Sequence, residues 1–390
     1  MHSSTSSSNT SPASPPAEAE LERDLPSANL VLPAIIAVGL MILATTAWES
    51  HVRDLGYAPS YNDSSGLWAH WRSQAVAGDG RSLVIIGASR AAYDIDLDVV
   101  EKVAGQRPIQ LATVGSNAAP IFWDLAEDPS FNGTVIYEVT PGLFFAPEPS
   151  PPFQAALQAA KYYHNWSPSQ RVGQYLASTL ESQLALLNTE DLSLAKLLEG
   201  MDLADRTNAH IPPSPPPQFG AMDARRRLWM THKTETDHDF QALMKACWYR
   251  LETPPPRPPI FSAAQWEQIQ QDARNALLAR TAQAVQAIQQ RGGHVVFLRL
   301  PSTGKYREIE KSLYPRDEGW ERILAETGAP GLHFEDYPEL QGFDCPEESH
   351  LKAADATVFT QRLMPLLAKQ LAATPAAPAD SKGPRPSAAL

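Results

Sequence analysis

The chain has 390 residues, a formal net charge of −12 from 44 acidic and 32 basic side chains, and two cysteines. That balance supplies no basic stripe to meet phosphates, so nucleic acid is excluded as an expected partner. The length suffices for one large α/β domain with attachments, and two cysteines are too few for a disulfide framework. Residues 1–24 are Ser, Pro, Ala and Glu with almost no large apolar side chain, a composition that predicts disorder. Residues 25–48 carry no charge at all, and their centre, Leu30 to Leu43, predicts a helix able to cross a bilayer. Pro33 falls in its first turn, where a missing N–H costs little, and Trp48 sits where an interfacial aromatic belongs. Thr45-Thr46-Ala47 also reads as a signal-peptidase site, but the long acidic stretch before the helix favours an uncleaved membrane anchor.

Residues 49–80 form a connecting segment with a helix expected around Ser65–Ala77, whose Trp68 and Trp71 share a face and read as core. Gly78-Asp79-Gly80 precedes the next strand, so it is a turn and not a phosphate loop. Leu83-Val84-Ile85-Ile86 predicts a buried parallel strand that ends in Gly87-Ala88-Ser89. A serine on that turn either caps the following helix or presents its hydroxyl to a cleft at the sheet edge. A helix to Val103 closes at Gly105, a second strand runs from Ile109 to Val114, and Asn117 caps a helix through Glu127. The third strand, Thr134–Val139, runs into Thr140-Pro141-Gly142. Strands alternating with helices predict βαβ units, hence an α/β fold with a parallel sheet and right-handed crossovers.

Residues 143–259 break the alternation. They read as a Pro-rich helical insertion with helices at Phe153–Lys161, Val172–Leu198 and Ala221–Arg250, separated by the proline clusters Pro212–Pro217 and Pro254–Pro259. Arg225-Arg226-Arg227 reads as a solvated face of the last helix. The insertion either shapes a substrate cleft or forms a cap for a membrane or a membrane-protein partner. Within it, His232, Asp237, His238 and Cys247 fit no closed zinc spacing, so no metal is expected. Ser262 and Gln265 form a capping box for a long helix to Gln290, which Gly292-Gly293 ends. His294–Leu300 is the fourth strand, His333–Tyr337 a short last one, and Ala353–Gln370 an amphipathic helix. Between them lies Glu347-Glu348-Ser349-His350, an acid three residues before a histidine at the mouth of the final helix. Cys247 and Cys345 are either a disulfide or two buried thiols.

An early Gly-x-Ser after a buried strand and a late acid-x-x-His before the last helix resemble the SGNH (GDSL-like) hydrolase superfamily. The resemblance covers about Ser82–Gly142 and Ala263–Leu371, and implies a three-layer, flavodoxin-like parallel sheet built from residues 81–142 and 260–372. It implies a serine esterase or O-acyltransferase without a cofactor, with Ser89 as nucleophile, His350 as base and Glu347 as its orienting acid. The Ser89 and Gly115 N–H groups would form the oxyanion hole. The family's Gly-Asp-Ser is Gly87-Ala88-Ser89 here, and no asparagine follows the third strand, which leaves Asn117 or Thr140 as the further donor. Arg90, Arg299 and Ser302 are candidates to contact an anionic or sugar substrate. By analogy with envelope-attached members, the substrate is an acyl ester or glycan and the domain after the anchor lies outside the cytoplasm. The missing aspartate and asparagine also fit a catalytically silent scaffold that binds glycan or a membrane partner.

Overall fold

The computed structural model describes residues 29–199, 215–252 and 256–373. Of the stretches expected to be disordered, 1–24 and 373–390, all but Ala373 lie outside the described residues, as do parts of both proline clusters, and Ala373 ends the last helix. The chain divides into two compact units, one ending at Ser50 and one beginning at His51. The first contains most of a helix over Val31–Asp54, about 36 Å long at 1.5 Å per residue. Its most apolar window has a mean hydropathy of 2.1 and none of that window is buried. Leu32, Ile35, Met41 and Leu43 are each more than 60% exposed, an arrangement that suits a single-pass anchor or a signal sequence.

The second unit is α/β. Its central sheet has five parallel strands, β1 (Leu83–Ile86), β2 (Ile109–Gln110), β3 (Thr134–Glu138), β6 (His294–Arg299) and β7 (Gly331–His333), in the order β2-β1-β3-β6-β7. A separate antiparallel hairpin pairs β4 (Gly220–Met222) with β5 (Leu228–Met230). The aliphatic runs of β1 and β6 are buried almost throughout, as parallel strands covered by helices must be. The long helix Ala263–Gln290 packs on the helix Ala119–Glu127 and on β6, while the last helix, Ala353–Ala373, packs on the helix Leu97–Ala104. From β1 the chain steps outward to β2 and then returns to the other side of β1 as β3. That reversal makes the carboxyl ends of β1 and β3 a switch point, where α/β sheets open a crevice for ligands.

The expected caps at Gly105 and Ser262 are present. Gly105 closes the helix Leu97–Ala104 in a left-handed conformation, and Asp96, not singled out from the sequence, caps its start. Ser262 and Gln265 make both halves of their capping box. Trp68 and Trp71 are buried, each with its indole N–H on a backbone carbonyl.

The differences have identifiable causes. The second strand was expected to reach Val114, but the regular strand ends at Gln110, although the Leu111 and Thr113 N–H groups still reach the carbonyls of Ile85 and Gly87 at 2.8 and 3.1 Å. The Arg226 guanidinium donates to the carbonyls of Gln110 and Ala112, and the Trp68 indole to Leu111, so side chains replace a neighbouring strand along this edge. Arg225-Arg226-Arg227 is therefore no solvated helix face. It forms the β4–β5 turn, with Arg226 at φ 64° and 1% exposed and all three arginines in ion pairs with acids at Asp63 and Asp96–Glu101. The expected helix over Ala221–Arg250 is this hairpin followed by helices His232–Thr236 and His238–Leu251. The expected helix Val172–Leu198 ends at Glu181 and resumes in short turns. The last strand lies a few residues early, at Gly331–His333, because Phe334–Asp336 closes into a 3₁₀ turn. Cys247 and Cys345 are buried thiols, not a bridge.

Arg226→Met is expected to lower the unfolding free energy by about 2–3 kcal/mol, because it strips two buried carbonyls and the Asp63 carboxylate of their donor. Urea unfolding of the purified protein measures this, and an unchanged midpoint would show that the arginine is dispensable to the edge.

Candidate active site

The site begins at the end of β1. Gly87 has φ 149°, and a Cβ there would stand 2.7 Å from the Glu138 Cβ and 2.9 Å from the Ala91 Cβ. Only glycine permits this turn to press against β3. Glu138, the last residue of β3, is 1% exposed and accepts the Ala88 N–H at 3.1 Å and the Thr140 hydroxyl at 2.8 Å. Burial raises its pKa, which the nearby Arg90 opposes. Ser89 then opens a five-residue helix, Ser89–Tyr93, and is partly exposed.

The other half comes from the segment before the last helix. The His350 Nε2 lies 2.8 Å from the Ser89 Oγ, and its Nδ1 lies 2.8 Å from the Glu347 Oε1. Glu347 is fully buried and accepts three further N–H groups: the Ser349 and His350 amides at 3.2 and 2.6 Å and the Trp248 indole. With the carboxylate accepting at Nδ1, that nitrogen carries the imidazole proton, and Nε2 is left to accept the serine hydroxyl. The methylene that distinguishes glutamate from aspartate is absorbed because the chain folds back on the carboxylate, with Glu348 at φ 73°. Arg90 Nε holds the Ser349 carbonyl at 3.0 Å, and Asp94 accepts the Leu351 amide at 2.8 Å. The two sequence blocks, 261 residues apart at Ser89 and His350, are thus fastened on both sides of the histidine.

The insertion contributes directly to this centre. Trp248 from the helix His238–Leu251 holds Glu347, and the rings of Tyr93, Phe219 and Trp248 surround His350 at 4.8, 5.7 and 5.9 Å. Tyr249 donates to Glu348 at 2.6 Å. Sequence reasoning missed Trp248, Phe219 and Glu138. The first two are tertiary partners with no local signature, but Glu138 carried a readable signal, a charge embedded in the apolar run Tyr137–Val139.

The remaining candidates are distributed differently. Gly115 is exposed at φ 64°, and neither its N–H nor that of Ser89 has a hydrogen bond within the chain among the described residues. Asn117 is fully buried and gives both amide hydrogens to the carbonyls of Phe144 and Ala146, at 2.9 Å each, so it fixes a turn and offers no donor to an oxyanion. The Thr140 hydroxyl is likewise committed to Glu138. Arg90, Arg299 and Ser302 converge on the buried Glu310 carboxylate, at 2.8, 2.5 and 2.6 Å, and not on the serine. Burial alone would raise the Glu310 pKa, but Arg299, Arg90 and the Ser302 hydroxyl hold it down at about 2. In the insertion, Asp237 caps a helix and His238 lies 3.2 Å from the Gln241 side chain. Two cavities of about 390 and 350 Å³ open near β6 and β7, and neither is lined by Ser89, Glu347 or His350.

His333, in the wall of the smaller cavity, makes stability depend on pH. Burial and the charges of Arg299, Arg316 and Arg307 push its pKa from 6.5 to about 3. Between those values the unfolded chain holds a proton that the folded chain refuses. Its contribution is therefore complete above the ordinary histidine range and lost as pH falls through the window, at up to about 1.4 kcal/mol per pH unit. Unfolding free energies at about pH 7 and pH 5 are expected to differ in this sense, and less so in His333→Gln. Equal slopes in the two proteins would assign the dependence elsewhere.

Compared with protein-family models and with curated proteins, the chain matches none.

Proposed function

We propose that the protein is a membrane-anchored, SGNH-like serine esterase or O-acyltransferase acting on an acyl ester of an envelope glycan. The observation that carries this reading is the continuous chain from Ser89 Oγ through His350 Nε2 and Nδ1 to Glu347 Oε1, with both hydrogen bonds at 2.8 Å. Counted within the sheet alone, the strand order is 2-1-3-4-5, the flavodoxin-like order, with the serine at its switch point. The apolar helix over Val31–Asp54 supports the anchor, and an extracytoplasmic domain is part of the proposal.

In this mechanism Ser89 attacks the acyl carbonyl while His350 Nε2 takes its proton, and Glu347 stabilises the imidazolium. The oxyanion is held by the N–H groups of Ser89 and Gly115. His350 then returns the proton to the departing alcohol, and the acyl-serine is released to water or to a sugar hydroxyl by the same steps in reverse. With Asn117 and Thr140 engaged elsewhere, neither candidate among the described residues gives the hole a side-chain donor, a difference of about 100–1000-fold in rate where such donors have been removed. That deficit favours the second reading, a glycan- or partner-binding scaffold in which the three residues are retained without turnover.

Labelling the detergent-solubilised protein with a fluorophosphonate separates the two. The expected result is an adduct on the peptide containing Ser89 that disappears in His350→Ala. A folded protein that takes no label would favour the scaffold.

A further inference from the structure

The helix Pro168–Glu181 turns a polar stripe to the protein and an apolar stripe outward. Residues four and seven apart share a helix face, so Gln174, Ser178 and Glu181 lie together. This polar face meets the fold. The Ser64 hydroxyl donates to Gln174 Oε1 at 2.9 Å, and Gly66 leaves room for that side chain, since a Cβ there would press on its Oε1. Gln174 donates to the Ser178 hydroxyl at 2.9 Å, and the Asn62 amide donates to Glu181, which is 7% exposed, at 2.8 Å. The opposite face carries Val172, Tyr175, Leu176 and Leu180, which are 61, 74, 56 and 52% exposed. A solvated surface helix has the reverse arrangement, and a stripe of large apolar side chains this open marks a docking surface.

What covers this face follows from where the helix is fastened. The apolar helix Val31–Asp54 carries its last turn into the unit that begins at His51. From that turn Arg53 donates to the Gln183 carbonyl at 2.9 Å, just beyond the end of Pro168–Glu181. The next residues are held as well, because the Leu55 carbonyl accepts the Gln218 side chain at 3.0 Å and Asn62 holds the Leu187 carbonyl at 2.9 Å. Arg53 follows Trp48 by about 8 Å along the helix at 1.5 Å per residue. In a retained anchor, the end of Pro168–Glu181 is therefore pinned beside the point where the chain leaves the bilayer. The outward arc of Val172, Tyr175, Leu176, Thr179 and Leu180 contains no charge, and tyrosine favours the membrane–water boundary.

We propose that the apolar face of Pro168–Glu181 lies in the surface of the bilayer that holds the anchor, as a second point of membrane contact. Val172, Tyr175, Leu176 and Leu180 enter the boundary between headgroups and acyl chains, about 5–10 Å deep as for other in-plane amphipathic helices. Gln174, Ser178 and Glu181 stay turned to the protein. The inference rests on the reading of Val31–Asp54 as a retained anchor and is independent of Ser89.

Photolabelling of the full chain in phosphatidylcholine vesicles that carry an aryl diazirine on the acyl chain tests the proposal, with adducts located by peptide mass. Adducts are expected both within Val31–Leu43 and within Val172–Leu180. A zwitterionic lipid suffices because the face is uncharged. Val172→Gln, Leu176→Gln and Leu180→Gln together, all at exposed positions, are expected to keep the unfolding midpoint and the anchor adduct while losing most of the adduct at 172–180. An unlabelled 172–180 beside a labelled anchor would overturn the proposal alone, and a face covered by a second copy of the chain would give that result. Labelling absent from both stretches would overturn the anchor reading and this inference with it. An adduct at 172–180 that persists undiminished in the triple variant would also overturn it.

Discussion

Ser89→Ala is expected to reduce hydrolysis of an acetyl ester by about 10⁴–10⁶-fold, the range found when a triad nucleophile is removed. The unfolding midpoint should not move. The Ser89 hydroxyl is partly exposed, and its one hydrogen bond among the described residues goes to His350 Nε2, so its removal opens no cavity and strands no buried charge. His350→Ala should produce a similar loss, and the double variant little more, because the two groups act as one unit. Initial rates with p-nitrophenyl acetate on purified proteins measure all three. Undiminished hydrolysis in a folded Ser89→Ala protein would remove the serine from the mechanism.

Glu310→Gln is expected to cost about 3–5 kcal/mol of unfolding free energy, the largest stability effect of any single exchange considered. The carboxylate is completely buried and receives Arg90 at 2.8 Å, Arg299 at 2.5 Å and the Ser302 hydroxyl at 2.6 Å, with Arg307 at 3.7 Å. Without it, two guanidinium groups with essentially no solvent access are left uncompensated. Because its folded pKa is held at about 2, its contribution is complete above the ordinary glutamate range and is lost only as pH falls from there towards 2. Urea unfolding at neutral pH gives the number, and a loss below about 1 kcal/mol would mean that water reaches the arginines. Since Arg90 also holds the Ser349 carbonyl, the same variant should slow fluorophosphonate labelling at Ser89.

What could be read in advance follows from the range of each signal. The strand Leu83–Ile86, the turn at Gly87 and the spacing of Glu347 and His350 are short-range patterns, and the structure places all of them at one point. The capping signals at Gly105 and Ser262 are equally local and recur as hydrogen bonds. Contacts across the fold were not legible. Nothing within ten residues of Arg226 shows that it reaches the carbonyls of Gln110 and Ala112, so its triplet resembled a helix face. Asn117 looked like a free amide because Phe144 and Ala146, whose carbonyls it holds, follow only after the third strand. Arg299 and Ser302 do stand at the sheet edge, as strand direction required, but the acid that claims them lies on the next helix.

The grip of Trp248 on Glu347 ties the maturation of this centre to its least regular segment. The five-stranded sheet could close without residues 215–252, since none of its strands comes from them. The acid that orients His350 could not be fully seated, however, because a buried carboxylate missing one of its donors is held less firmly. Chains whose sheet has formed but whose insertion has not docked would carry an unready serine. In the proposed reading, the readiness of the serine would therefore depend on docking of the insertion and not on the sheet alone.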